Sequence, residues 1–248
     1  MSSNKAGNRI ALVTGANRGI GLETARQLGR QGVTVLVGAR DAARGELAAS
    51  ALRAEGIDAR AVPLDVTDPE SITAAARTVE QDFGRLDILV NNAAVLRDQG
   101  VAASEATADA WRETFEANVF GLVTTAQAFV PLLKKSDAGR IVNLSSSLGS
   151  LTIVSDPASP VAAWIGSGAA YGASKAAVNM FTAHLARELA DTPVKVNTID
   201  PGWVKTDMGT DAALLEVEEG ARTSVWAATL PADGPTGGFY HLGRQQPW

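Results

Sequence analysis

A short apolar run, a glycine-rich turn and a helical pattern follow one another near the start of the chain and constrain its fold most. The run spans residues 9–13, the turn is Thr14-Gly15-Ala16-Asn17-Arg18-Gly19-Ile20-Gly21, and the helical pattern continues through Leu28. Backbone N–H groups beside a helix N-terminus bind pyrophosphate in this arrangement. The spacing G-x-x-x-G-x-G differs from the general dinucleotide fingerprint, so an ordinary glycine-rich turn is the alternative. The residues expected to contact a cofactor here are Gly15, Asn17, Arg18, Gly19, Ile20 and Gly21.

Five further apolar runs alternate with helical patterns along the chain. They span residues 33–39, 59–64, 86–90, 139–144 and 194–199. Strands that alternate with helices are typical of a parallel sheet covered on both faces. At 248 residues, with no linker, repeat or low-complexity tract, the sequence favours one α/β domain over two small ones.

Composition narrows the class of protein. The absence of cysteine excludes disulfides and thiol nucleophiles and fits a reducing compartment. Residues 1–8 lack the apolar core of a signal peptide, and no later segment is apolar over a bilayer's thickness. A net charge of -5 without a dense Lys/Arg cluster argues against nucleic acid or an anionic membrane as a partner. We therefore expect a cytoplasmic protein, and two histidines without cysteine predict no metal site.

The end of the second strand indicates which cofactor is preferred. Arg40 suits a ribose 2′-phosphate, whereas an acidic residue at this point accepts from a 2′-hydroxyl. Asp41 keeps NAD open as an alternative, but it is also well placed as the N-cap of a helix over residues 42–54. Arg18 adds a second cation and Arg44 a weaker third. These cations favour NADP(H).

Other candidate cofactor residues follow the later strands. Asp65 and Val66 follow the third strand and are placed to meet an adenine; the alternative for Asp65 is a helix N-cap, which Thr67 or Asp68 supplies equally well. The pair Asn91-Asn92 is predicted to tie strand ends together. The remaining candidates are Asn92, Ala93, Pro201, Gly202, Val204 and Thr206.

Tyr171 and Lys175 lie four positions apart at the head of an Ala- and Leu-rich run that reaches about residue 190. Positions four apart share one helix face, so the ammonium is expected to lower the pKa of the phenol. Tyr171 would then transfer protons near neutral pH. The alternative is that Tyr171 packs at a helix start while Lys175 is a solvated charge, because so short a match is weak alone.

Two further polar features are candidates for catalysis. Asn118 sits within a helical stretch over residues 111–129, where asparagine is unfavourable, and we interpret it as holding a water or a broken backbone hydrogen bond. Ser145-Ser146-Ser147 follows the fifth strand, and spacing alone does not choose among the three hydroxyls.

Together these motifs, in order from Thr14 to Thr206, resemble the short-chain dehydrogenase/reductase family, most closely its carbonyl-reductase-like NADPH-dependent members. The resemblance implies a single-domain, doubly wound Rossmann fold with a mainly parallel sheet of seven strands, the last near residues 238–240. It assigns Ser146 to substrate orientation, Tyr171 to proton donation, Lys175 to tyrosine modulation and ribose binding, and Asn118 to a proton relay. It implies reversible reduction of a small ketone or aldehyde to an alcohol.

The chain departs from the family pattern in two places. Asn91-Asn92-Ala93-Ala94 replaces the family's Asn-Asn-Ala-Gly, and Ser146 and Tyr171 lie 25 positions apart, which is longer than in minimal members. The extra length falls within residues 150–169. In related carbonyl reductases an insertion here covers a helix face used by oligomeric relatives, so a monomer is plausible and a homo-oligomer is not excluded.

The substrate side of the site is the least specified. Residues 208–222 are interpreted as a lid, bounded by Gly209 and Gly220. There are three rival functions: a hydrolase, an NAD(P)-dependent epimerase or dehydratase, and a cofactor-binding sensor without turnover. The hydrolase is disfavoured because this sequence contains no G-x-S-x-G elbow. Apolar walls are predicted from Val95, Leu148, Trp164, Trp203 and Leu214.

Overall fold

Seven parallel strands and one antiparallel strand form one sheet in the computed structural model, which describes residues 9–159, 161 and 167–248. The strands are β1 Ile10–Thr14, β2 Thr34–Ala39, β3 Ala59–Pro63, β4 Ile88–Asn91, β5 Arg140–Leu144, β6 Lys195–Ile199, β7 Phe239–His241 and β8 Arg244–Gln245. Their order across the sheet is β3-β2-β1-β4-β5-β6-β7-β8, and β8 runs antiparallel to β7.

Helices connect the strands and cover both faces of the sheet. They are α1 Gly19–Arg30, α2 Ala42–Ala54, α3 Pro69–Phe83, α4 Ala108–Phe115, α5 Leu122–Leu133, α6 Leu151–Ser155, α7 Ala169–Glu188 and α8 Val217–Ala228. A π-helical turn, Glu116–Gly121, joins α4 to α5, and a 3-10 turn, Ser147–Gly149, precedes α6. Within the described residues, no helix combines the length and apolarity needed to cross a bilayer.

The strands are apolar on both faces because both faces are covered. Val13 belongs to the buried cluster that contains Leu28 of α1, whereas its neighbour Leu12 belongs to the cluster that contains Phe129 of α5. Successive strand residues point to opposite faces, so adjacent apolar residues enter different layers of the core. This arrangement is the doubly wound fold that the sequence predicts.

The six strands predicted from the residues and the seventh implied by the resemblance are confirmed, and the structure adds β8. A hairpin joins β7 to β8, with positive φ at both Leu242 (47°) and Gly243 (73°). Such a turn normally carries Asn-Gly or Gly-Gly, because few other residues tolerate positive φ. Because Leu242 occupies the position where Asn or Gly is usual, the sequence does not indicate this hairpin.

The sheet places its binding crevice between β1 and β4, where the strand order reverses. The amide of Asn91 at the end of β4 donates to Asn143 Oδ1 at 2.9 Å, across to β5. The amide of Asn92 donates to the Thr14 carbonyl at the end of β1, at 2.8 Å. The two asparagines therefore fix the carboxyl ends of three neighbouring strands, as predicted.

Candidate active site

A cleft of about 1790 Å³ opens along the carboxyl ends of the strands. This volume exceeds that of a typical small-ligand pocket, so the cleft has room for a dinucleotide together with a second molecule. Among the described residues, no cluster of three or more metal-binding side chains occurs. The predicted cofactor residues that line the cleft are Gly15, Asn17, Arg18, Gly19, Ile20, Gly21, Arg40, Asp65, Val66, Asn92, Ala93, Tyr171, Lys175, Pro201, Gly202, Val204 and Thr206.

The glycine turn is shaped for close approach of backbone to a ligand. Gly19 has φ +54°, and a Cβ on Gly21 would lie 2.5 Å from Asn92 Nδ2 and 2.7 Å from the Gly15 carbonyl oxygen. The first turn of α1 carries no acidic residue, and Arg18 at its N-cap makes no capping side-chain bond. The helix N-terminus therefore keeps N–H groups and a positive dipole for an anion, which fits a pyrophosphate.

We expect Gly21→Ala to impair both folding and cofactor binding. The added methyl group meets a backbone carbonyl, and overpacking of this kind costs about 1–3 kcal/mol. The melting temperature should therefore fall by about 3–10 °C, and the affinity for the predicted dinucleotide cofactor, measured by fluorescence titration, should fall at least about tenfold.

Gly45→Ala in α2 is the matched control for this substitution. Its Cβ would lie 3.2 Å from the Ala39 side chain, and alanine is the better helix former. The control should keep wild-type affinity, and its melting temperature should fall less than that of Gly21→Ala, because the close neighbour is a methyl group rather than a backbone carbonyl. Wild-type values for Gly21→Ala as well would contradict the close-approach assignment.

Arg18, Arg40 and Arg44 line the cleft, and their ion-pair partners differ. Arg18 forms an ion pair with Asp207, and Arg44 lies 3.6 Å from Asp41. The carboxylate of Asp41 also accepts from the Arg44 amide at 3.0 Å and caps α2, as the sequence predicted. Arg40 is exposed in the cleft and has no ion-pair partner within the described ranges. Its guanidinium is the one best placed to receive an anion.

Two aspartates after β3 have different roles: Asp68 caps a helix, and Asp65 is the candidate adenine contact. Asp68 caps α3, with its carboxylate accepting from the Glu70 amide at 2.9 Å. Asp65 is therefore not the N-cap. Its Oδ1 accepts from the amide and the hydroxyl of Thr67 at 3.0 and 2.8 Å, which shapes a turn beside the cleft. Its contact with an adenine stays a prediction.

Tyr171 and Lys175 lie on the first two turns of α7, and both line the cleft. The Lys175 ammonium lies 5.4 Å from the centroid of the Tyr171 ring and donates to the Leu144 carbonyl at 2.8 Å. Lys175 is 3% exposed, so the reading of it as a solvated charge is wrong. Burial lowers the pKa of Lys175 to about 8, although the charge of Asp200 acts in the opposite direction.

The pKa of the Tyr171 phenol is shifted in the direction opposite to the one predicted from the sequence. Burial raises the pKa of Tyr171 well above its usual value, and the negative charge of Asp200 raises it further. The predicted lowering of the Tyr171 pKa by Lys175 is thus wrong for the protein groups alone, because burial of the phenol and the charge of Asp200 both raise this pKa. The phenol is protonated at neutral pH.

Hydrogen bonds distinguish the three serines after β5. Ser145 Oγ donates to the Lys175 carbonyl at 3.2 Å, and the Ser147 hydroxyl donates to Asp200. Ser146 Oγ accepts from the Leu148 amide at 3.2 Å, and its own proton has no acceptor in the described part of the chain. Ser146 therefore presents a free O–H donor on the wall of the cleft that Tyr171 and Lys175 also line.

The model of the short chain dehydrogenase family matches residues 9–214. The chain belongs to this family. It is 37% identical to (+)-neomenthol dehydrogenase of Arabidopsis thaliana, with 94% of this chain and 95% of the relative covered. It is 34% identical to carbonyl reductase (NADPH) 1 of Mus musculus, with 96% and 98% covered. NADPH-bound carbonyl reductase from chicken fatty liver superposes with a TM-score of 0.85 at 30% identity, covering 97% of this chain and 99% of that one.

As a member of this family the protein is an oxidoreductase, and the family binds a nicotinamide cofactor. In this dehydrogenase Asn118 lies behind the cleft wall, 1% exposed, within the π-helical turn. Its amide donates to the Val95 carbonyl at 2.9 Å and to Ser174 Oγ at 3.1 Å, and its Oδ1 accepts from the Val95 amide at 2.8 Å. The side chain thereby holds the loop after β4. The π-helical turn replaces the regular i→i−4 ladder here, as π-turns at functional sites do.

The predicted substrate walls of this dehydrogenase lie partly in the same cleft. Val95, Leu148, Trp203 and Leu214 line it, whereas Trp164 lies outside the described residues. The predicted lid is shorter than residues 208–222, because Val217 begins α8 and a capping box between Glu216 and Glu219 fixes that helix start. The lid hypothesis therefore applies to residues 208–216.

A buried carboxylate that the sequence did not reveal supports the start of α7 in this dehydrogenase. Asp98 is 0% exposed, and its Oδ2 accepts from the Ala170 amide at 2.6 Å, in the first turn of α7. The N-cap of α7 is Gly168, which has no side chain to cap the helix. A helix start without Ser, Thr, Asp or Asn was the available signal that a distant residue supplies the cap.

Proposed function

We propose that this protein is an NADPH-dependent carbonyl reductase, which reduces a ketone or aldehyde to the alcohol. The observation that carries the proposal is one cleft that contains the Tyr171–Lys175 pair, the free hydroxyl of Ser146, the glycine turn and the unpaired Arg40. The similarity to relatives named for NADPH-dependent carbonyl reduction supports it.

The chain offers a distinct group for each part of NADP(H). The glycine turn and the N-terminus of α1 would hold the pyrophosphate, Arg40 the 2′-phosphate, and Asp65 with Val66 the adenine. Lys175 and the segment Pro201, Gly202, Val204 and Thr206 would hold the ribose and the amide of the nicotinamide end. When bound, NADPH supplies a hydride to the carbonyl carbon.

The remaining chemistry belongs to the side chains of the cleft. Ser146 and Tyr171 would both donate hydrogen bonds to the carbonyl oxygen, which stabilises negative charge as it develops there. The raised pKa of Tyr171 keeps the phenol protonated at neutral pH, which is the form that reduction requires. The Lys175 ammonium would stabilise the phenolate after proton transfer. Because the Asn118 side chain is already bonded to Val95 and Ser174, Asn118 would hold a water through its main chain in the π-helical turn, and that water would return the proton from solvent.

Parallel assays with NADPH and NADH test this function. We expect oxidation of NADPH, followed at 340 nm, only when a ketone, aldehyde or quinone is added, and a slower rate with NADH. NADPH binding without turnover across the whole panel would instead indicate a cofactor-binding sensor. A preference for NADH would overturn the role of the arginines.

Arg40→Ser should separate the two cofactors. Loss of a charge-assisted contact costs about 1.5–3 kcal/mol, so the KM for NADPH should rise about tenfold or more while that for NADH stays within about twofold. Arg30→Ser is the matched control, because Arg30 is exposed on α1 and does not line the cleft. Its guanidinium forms an ion pair with Glu55, with 3.0 Å between the nitrogen and the oxygen. Equal effects of Arg40→Ser on both cofactors would refute the assignment.

An apolar substrate is a further part of the proposal. Val95, Leu148, Trp203 and Leu214 supply apolar surface on the cleft wall. In a panel of ketones matched for reactivity but differing in apolar area, KM should fall as that area grows. A KM that does not change with apolar area would contradict the apolar-substrate proposal. A cytosolic location and a monomeric state stay predictions from the sequence.

A further inference from the structure

Asp200 lies at the end of β6 and has no role in the chemistry described above. It is 6% exposed and lines the cleft. Both oxygens of its carboxylate are occupied, and the partners come from two different loops. Oδ1 accepts from the Gly202 amide at 2.8 Å, while Oδ2 accepts from the Ser147 amide at 3.1 Å and from the Ser147 hydroxyl.

Both of these loops line the proposed site. Ser147 directly follows Ser146, the serine with the free hydroxyl, and Gly202 belongs to the turn assigned to the nicotinamide end. Gly202 has φ +81°, so its turn adopts a conformation that few side chains tolerate. A single carboxylate bonded to both loops fixes their separation, because a change in either loop breaks a charge-assisted hydrogen bond.

The main chain of Asp200 is held as firmly as its side chain. Its amide donates to the Tyr240 carbonyl at 2.8 Å, and its own carbonyl lies 2.9 Å from His241 Nδ1. Because a carbonyl only accepts, His241 donates this hydrogen bond through Nδ1. The carboxylate is therefore anchored to β7 as well as to the two loops.

Asp200 lies beside the strand end to which Lys175 is bonded. The Lys175 ammonium donates to the Leu144 carbonyl, and Leu144 is paired with Ile199, which directly precedes Asp200. The negative charge of Asp200 raises the pKa of both Lys175 and Tyr171, and for Lys175 this opposes the larger lowering by burial. The titratable groups beside Asp200 are Lys175 and Tyr171 from α7 and His241 from β7, whereas Tyr240 contacts Asp200 only through its main chain. Asp200 is thus the acidic counterpart of the buried ammonium.

We propose that Asp200 is a positioning residue of this active site: its carboxylate fixes Ser146 against the Gly202 turn, and it is the acidic counterpart of the buried Lys175 ammonium. The consequence for turnover rests on the proposed function. The charge relation between Asp200 and Lys175 does not, since it is a property of the folded chain alone.

The test is a double-mutant cycle read by unfolding rather than by turnover. The unfolding free energy is measured from pH 6 to pH 9.5 for the wild type and Lys175→Met, and for Asp200→Asn with and without Lys175→Met. The difference within each pair reports the titration of Lys175. We expect a midpoint at about pH 8 in the wild-type background, and about one pH unit lower or more with Asp200→Asn, because an opposite charge has been removed. An identical midpoint in both backgrounds would overturn the proposal.

Two controls separate charge from contact. Ser147→Ala removes one hydrogen bond but keeps the Asp200 charge, so the midpoint should stay at about pH 8. Asp207→Asn removes an exposed charge from the cleft rim, where salt screens it, and should also leave the midpoint unchanged. A shift with either control equal to that of Asp200→Asn would refute a specific role for Asp200.

Asp200→Ser serves as a second neutral variant if Asp200→Asn does not fold. Failure of both to fold would also contradict the proposal, since Asp200 would then be a residue of the fold rather than of the site. In the active enzyme, the alkaline limb of kcat for reduction should move to lower pH with Asp200→Asn by the same shift. Loss of rate without that movement would indicate a structural effect only.

Discussion

Tyr171→Phe is expected to lower kcat for carbonyl reduction by about 10³-fold or more, because the substitution removes the only proposed proton donor. The phenylalanine ring keeps the shape of the cleft wall, so the affinity for NADPH should stay within about twofold. Steady-state NADPH oxidation with a ketone measures the first effect. Fluorescence titration with NADPH measures the second.

Tyr240→Phe is the matched control, because the sequence contains two tyrosines. Tyr240 lies on β7, and its ring packs against Trp226 at 5.0 Å between centroids. It does not line the cleft, so its loss should leave kcat near the wild-type value. More than about a tenth of wild-type turnover in Tyr171→Phe would be incompatible with general acid catalysis by this phenol.

Lys175→Met should lower kcat about 10²-fold or more and should also change how stability depends on pH. The folded pKa of Lys175 is about 8, whereas that of an unfolded lysine is about 10.4. Between these values the unfolded chain binds more protons than the folded one, so Lys175 makes the wild type more stable as pH rises. The gain relative to Lys175→Met should reach about 2 kcal/mol from pH 7 to pH 9.5.

Urea unfolding of both proteins at matched pH values measures this difference. The methionine keeps an unbranched apolar chain of similar length, so its packing beside Leu144 should change little. A difference that stays constant from pH 7 to pH 9.5 would show that the buried ammonium does not titrate in this range.

The strands and the cofactor loop could be predicted because their signals are local. Each strand is a short apolar run, and the turn at Gly19 and Gly21 needs residues without side chains, whatever the rest of the chain does. Asp41 was identified as a helix cap for the same reason, since a cap bonds to an amide three residues away. Local physics also placed Tyr171 and Lys175 on one helix face.

The missed features all depend on long-range contacts or on exceptions to local rules. The Asp98 carboxylate bonds an amide 72 positions away, and Ser147 meets Asp200 across 53 positions. The direction of the Tyr171 pKa depends on burial by the whole cleft, which a residue pair does not reveal. Spacing alone did not separate Ser146 from its two neighbours; the family resemblance assigned it, and the hydrogen bonds of Ser145 and Ser147 leave Ser146 as the free hydroxyl. The hairpin into β8 was hidden by Leu242, a residue that rarely adopts positive φ.

A crystal structure with NADP⁺ and an alcohol product would test the central claim most directly. The account predicts that the alcohol oxygen lies about 2.7–2.8 Å from both Ser146 Oγ and Tyr171 Oη, with the 2′-phosphate on Arg40. An alcohol bound in the cleft with its oxygen on neither hydroxyl, while the same crystals turn over, would contradict it.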